Sequence, residues 1–149
     1  MRYRRRYNVW PAISAGLAGS VIAAVVAGRW MGTGGSYPVA AAGAFGLMMA
    51  AVLAVAGDRH PFDRFGAANL VTTARAALMA LVAALAGVAG TADALWLAIG
   101  LTTIVALLDG MDGWLARRTG MASEFGARFD METDAALILA MSVLVWQHD

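Results

Sequence analysis

Aspartates stand at positions 109, 112, 130 and 134 within stretches that are otherwise apolar, accompanied by Arg75 and Arg117. Ionisable side chains in such surroundings are costly, and they persist where they pair with one another or serve a function. Asp109 and Asp112 are three residues apart and Asp130 and Asp134 four, so on helices each pair shares one face. Four carboxylates meeting in a partly desolvated cleft cannot all ionise without a counter-charge. The chain has no cysteine and only two histidines, His60 and His148, which removes thiolate sites and disfavours a histidine-rich centre. Oxygen-only ligation points instead to a hard divalent cation, Mg²⁺ or Mn²⁺, as one or two ions. Ions held this way are suited to gripping a diphosphate, and Arg117 can add a charge-assisted bond to a phosphate oxygen. Small residues at Gly113, Ala116 and Gly126 would let two helix backbones approach or let a ligand lie against them. Arg75 needs a partner, and the candidates are these carboxylates or a substrate phosphate. Glu132 is expected to point away from the acid face. Glu124, beside a candidate N-cap at Ser123, fits the favourable placement of acids at a helix start.

The elements that must position these groups follow from the composition. With 60% hydrophobic and 14% charged residues, the 149-residue chain has too little polar surface to cover a water-soluble globule. Its eleven basic residues, all arginine, nearly balance ten acids for a net charge of +1, so no bulk field draws nucleic acid. The expected architecture is an all-α, polytopic transmembrane helix bundle of about five helices. Residues 9–28 and 39–56 are free of charge and are separated by the turn signals Gly32, Gly34, Gly35 and Pro38. Residues 69–89, 92–116 and 125–145 are apolar but interrupted by the ionisable groups above. Two units result: an N-terminal extension with two transmembrane helices, residues 1–66, and a three-helix segment, residues 67–149.

Arginine placement orients the bundle, since basic flanks stay on the cytoplasmic side. Arg2, Arg4, Arg5 and Arg6 place the amino terminus inside, and five spans then put Arg59, Arg64, Arg117 and Arg118 in inner loops. The expectation is a multi-pass protein of the cell membrane with its acids at one depth near the cytoplasmic face.

The run Asp109-Gly-Met-Asp112-Gly113-Trp-Leu-Ala116-Arg117, eight further residues, and then Gly126-Ala-Arg-Phe-Asp130-Met-Glu-Thr-Asp134 resembles the signature of the CDP-alcohol phosphotransferases at all eight fixed positions. Upstream, Asn69-Leu-Val-Thr72-Thr-Ala-Arg75 is similar to the opening of that family's first core helix, with Ala68 in place of the usual proline. The resemblance covers residues 69–145. It implies a membrane transferase that moves a phosphatidyl or other substituted phosphate group from a CDP-linked alcohol, CDP-diacylglycerol above all, to an acceptor alcohol, releasing CMP in phospholipid biosynthesis. By the same resemblance Asp109, Asp112, Asp130 and Asp134 hold the metal, and Asp134 also takes the acceptor's hydroxyl proton. Gly113, Ala116, Arg117, Asn69, Thr72 and Arg75 would contact substrate. The implied partners are the CDP-linked lipid donor, a small alcohol acceptor and membrane lipids, without nucleic acid and with a homodimer as a candidate assembly. The family core has six helices; these resemble its first three, and the expectation is that the chain lacks the last three and is an incomplete form of the enzyme. Two other readings of an aspartate cluster stand beside this one. An intramembrane Mg²⁺-dependent prenyltransferase spaces its motifs differently, and a cation or proton transporter would show broken helices paired across a repeat.

Overall fold

The computed structural model describes residues 9–56, 66–88, 90–120 and 124–148. Among the described residues five helices follow one another: α1 (Trp10–Met31), α2 (Ser36–Ala56), α3 (Ala67–Ala84), α4 (Ala92–Thr119) and α5 (Glu124–His148), with a 3₁₀ turn at Leu85–Gly87 closing α3. No strand occurs among the described residues, so the chain is all-α as expected. The arginines at positions 2, 4, 5, 6, 59 and 64, and Ser123, lie outside the described residues.

Local chemistry sets the helix ends. Pro11 sits in the first turn of α1, where a missing N–H costs nothing, and Gly32 ends that helix in the left-handed conformation with its N–H on the Gly28 carbonyl. Thr91 caps α4 by accepting a bond from the Ala94 N–H at 3.2 Å. At the far end Gly120 (φ 65°) returns its N–H to the last-turn carbonyls. Asp93 in the first turn of α4, Arg117 and Arg118 in its last, and Glu124 in the first turn of α5 all carry the sign that the helix dipole favours.

Helices α1 to α4 are long and apolar enough to cross a membrane. Helix α5 has the length, but Arg128, Asp130, Glu132 and Asp134 interrupt its first half. Large apolar side chains on α1 and α4, among them Ile22, Val26, Ile104 and Leu107, are exposed, which suits a surface facing lipid. All five tryptophans, at 10, 30, 96, 114 and 146, are exposed as well. They fall at helix ends. Trp10 and Trp114 stand at one end of the bundle and Trp30, Trp96 and Trp146 at the other. The separations Trp10 to Trp30 and Trp96 to Trp114 correspond to about 30 and about 27 Å of helix, the thickness of a hydrocarbon core. Tryptophan gathers at membrane interfaces, so two aromatic belts frame the bundle.

Helix α3 is the axis. It lies against α1, α2, α4 and α5, and more of its surface is buried than that of α1, α2 or α4. Gly16 of α1 makes one of these packings: a Cβ there would come within 2.7 Å of the Phe45 ring and 3.1 Å of the Thr73 methyl. An apolar cluster of Phe45, Met49, Val52, Ala76, Ala80 and Phe129 joins α2, α3 and α5. A second, including Tyr37, Leu81, Leu85, Ala94, Ala98 and Leu144, joins the opposite ends of α2 to α5. There the Tyr37 hydroxyl donates to the Leu81 carbonyl at 3.0 Å, satisfying a polar group that burial would otherwise penalise.

Candidate active site

Three helix ends share one side of the bundle: the start of α3, the end of α4 and the start of α5. From Ala67, Thr119 and Glu124 respectively, Arg75, Asp109 and Asp134 stand about 12 to 15 Å along their helices, so all three reach one depth. Asp109 is five residues from Trp114, about 7.5 Å inside that tryptophan belt.

Arg75 is the centre of the site. It is 1% exposed, and its guanidinium pairs with Asp109 at 2.7 Å and also with Asp130 and Asp134. The three carboxylates are half-exposed, so they are reached by the arginine from the protein interior and remain open on the other side. One oxygen from each lies within 4.8 Å of the other two, close enough to share a metal ion. The donor set is oxygen only and anionic, which fits a hard divalent cation.

The local sequence explains how these acids come to face inward from α5. Phe129 and Thr133, 1% and 2% exposed, fill the interior, and Thr133 satisfies its own hydroxyl on the Phe129 carbonyl at 2.6 Å. The residues that follow each of them, Asp130 and Asp134, are turned by one helical step toward Arg75. On α4 a narrow seam of Ala94, Ala98 and Val105 is buried, and Asp109 extends that seam by one more turn.

The arrangement between α4 and α5 is looser than small residues alone suggest. Among the described residues the two helices are not a packed backbone pair; each lies against α3. The open side of Gly113 is taken by Arg117 of the same helix, whose guanidinium would lie 3.3 Å from a Cβ at that position. Ala116 and Gly126 are half-buried and Arg117 is exposed. Further along, α4 and α5 meet through side chains, with Thr102 donating to the Met141 sulfur at 3.4 Å. A cavity of about 190 Å³, lined by Leu85, Ala98, Ile99, Met141, Leu144 and others, remains between them. Nothing in the sequence signals that cavity, because alanine and leucine read equally well as close packing.

The other expected residues are placed as follows. Asn69 and Thr72 are buried on α3. Neither caps the helix, since the N-cap is Gly66 and no side chain bonds there. Thr72 donates to the Ala68 carbonyl at 3.1 Å. Glu132 is not part of the gathered acids. Asp112 lies on α4, but its side chain falls outside the described residues. The sequence left the partner of Arg75 open between carboxylate and phosphate; the structure gives it three carboxylates. The counter-charge that the acids require is thus supplied in part by the protein itself.

A search among curated proteins and one among solved structures gave no match. The family profile described as CDP-alcohol phosphatidyltransferase matches residues 65–149, a stretch that begins just before α3 and contains Arg75 and the three gathered aspartates. This family is one of transferases that draw on CDP-linked alcohols and work among membrane lipids. Because the match covers more than half of the chain and all of the charged cluster, the chain belongs to the CDP-alcohol phosphatidyltransferase family.

Proposed function

We propose that the chain transfers a phosphatidyl or other substituted phosphate group from a CDP-linked alcohol, CDP-diacylglycerol, to a small acceptor alcohol and releases CMP, as a step of phospholipid biosynthesis. The observation that carries this reading is the meeting of Asp109, Asp130 and Asp134 from two helices within 4.8 Å, inside the stretch matched by the family profile. Asp109, Asp112, Asp130 and Asp134 would hold Mg²⁺ or Mn²⁺. Such an ion, when bound, offsets the charge of a diphosphate and makes its phosphorus more open to attack.

The chain's own residues do the rest. Asp134, half-exposed at the open side of the cluster, accepts the acceptor's hydroxyl proton as the oxygen attacks the β-phosphorus. The bond to the CMP phosphate breaks, CMP leaves with that electron pair, and the proton passes from Asp134 to water. Arg117 at the end of α4, its guanidinium lying over Gly113, offers a charge-assisted bond to a phosphate oxygen, and Gly113 and Ala116 would contact the nucleotide once that side chain turns to the phosphate. Asn69 and Thr72 line the α3 side, and Arg75 stands behind the carboxylates on the buried side of the site. The arginine-rich amino terminus supports a cell-membrane protein whose site faces the cytoplasm.

The test is release of CMP by the purified chain in lipid nanodiscs, with CDP-diacylglycerol, Mg²⁺ and a panel of polar alcohols. Acceptor-dependent release that disappears in Asp134→Asn supports the assignment. Release that no acceptor stimulates, or that survives this substitution, contradicts it.

A further inference from the structure

We propose that Arg75 is a counter-ion built into the site and competes with a divalent ion for the same carboxylates. Metal entry and withdrawal of the guanidinium would then be one exchange. The inference rests on the reading of the acids as metal ligands given above and goes beyond it.

Four observations carry it. The guanidinium takes one oxygen from each of Asp109, Asp130 and Asp134, the three residues close enough to share an ion. It approaches from the buried axis of the bundle while the acids stay half-exposed on the opposite side, where an ion would enter. Arginine keeps its charge at any accessible pH and spreads its donors in a planar fork, so it can hold several carboxylates at once in a way that lysine cannot. Finally, one positive charge does not neutralise the three gathered carboxylates, so the arginine leaves net negative charge at the site for a cation to offset.

Two consequences follow. Without metal the three acids do not repel one another apart, because the arginine holds them together. With metal, Arg75 sits beside a dication and loses part of its hold on the carboxylates, so its donors become available to an anion. A diphosphate arriving at the site meets both, and metal and diphosphate then bind with positive coupling, each raising the affinity for the other by the same factor.

The experiment compares wild type with Arg75→Gln by titrating Mn²⁺ and following the free ion by electron paramagnetic resonance, alongside thermal unfolding in EDTA and in Mn²⁺. Arg75→Gln is expected to bind Mn²⁺ on the order of tenfold more tightly, because a competing positive charge is gone. It is also expected to unfold at lower temperature in EDTA and to recover when Mn²⁺ is added. Affinity equal to or weaker than wild type overturns the proposal. If Arg75→Gln does not fold even with Mn²⁺, Arg75→Lys decides: a point charge without the fork should bind Mn²⁺ more tightly than wild type, and unchanged or weaker binding overturns the exchange. Absence of Mn²⁺ binding in both wild type and variants would instead remove the metal reading itself, and this inference with it.

Discussion

Helices α3, α4 and α5 meet twice, and they meet differently at their two ends. At one end the contact is apolar: Leu85, Ala94, Ala98, Ala140 and Leu144 come together, with the Tyr37–Leu81 hydrogen bond as the polar link among them. At the other an ionic network, Arg75 reaching across to acids of α4 and α5, is added to the apolar cluster of Phe45, Ala76, Ala80 and Phe129 that joins α2, α3 and α5. In lipid the hydrophobic effect gives little preference for helix contact over tail contact, and small residues stabilise the apolar end through close packing. A buried charged network is a weak source of stability and a strong source of penalty once a partner is lost. Apolar packing is thus present at both ends, and the charged network is what sets one end apart; the proposed chemistry accounts for keeping a costly network there.

The largest effect that would sharpen this contrast is on activity alone. Asp134→Asn is expected to lower CMP release by about 10²- to 10⁴-fold, the range for losing a positioned base. Arg75 keeps Asp109 and Asp130 in that variant, so its thermal unfolding should stay close to wild type. A large drop in stability would instead make the acid a structural element.

At the apolar end the effect should be reversed in kind. Leu85→Ala removes a side chain that is 1% exposed and borders the cavity between α4 and α5, and it is expected to cost about 2 to 5 kcal/mol, read by reversible unfolding in detergent. Divalent-ion affinity should hardly move, since the acids stand at the opposite end of the bundle. Coupling of this substitution to metal binding would break the separation of the two ends.

A smaller loss is expected where the chain enters α3. Gly66 has φ 81° and ψ 151°, a region that residues with a Cβ scarcely enter. Gly66→Ala should cost about 1 to 3 kcal/mol of stability in the same unfolding measurement, and activity should fall as the start of α3 shifts. The smallest effect belongs to the interface: Arg118 lies 5.0 Å above the Trp114 ring, and Arg118→Ala should change stability by about 0.5 to 1 kcal/mol with CMP release retained.

Much of the bundle was legible in the sequence because lipid imposes a simple rule on chain composition. Charge-free runs at 9–28 and 39–56 matched α1 and α2 closely, although α2 starts at Ser36, before Pro38, which the first turn of a helix tolerates. The three interrupted segments also became helices, with α3 passing into a 3₁₀ turn at Leu85. The common depth of Arg75, Asp109, Asp130 and Asp134 was readable from residue counts along those helices. Lateral arrangement was not. Periodicity says which residues share a face but not which helix that face meets, so the placement of α3 between α4 and α5 could not be read from it. For the same reason the choice of Arg75 among carboxylate and phosphate partners stayed open until the helices were arranged in space. The tryptophan belts were readable in principle, since all five residues lie near the ends of the runs.

The central claim, that the acids gathered around Arg75 bind the diphosphate of a CDP-linked lipid together with a divalent ion, is tested most directly by thermal unfolding with CDP-diacylglycerol, each time with Mg²⁺ or with EDTA. The expected result is stabilisation of the wild type that requires both ligand and Mg²⁺ and that is absent in Asp130→Asn. Equal stabilisation in EDTA, or in the Asp130→Asn variant, would contradict it.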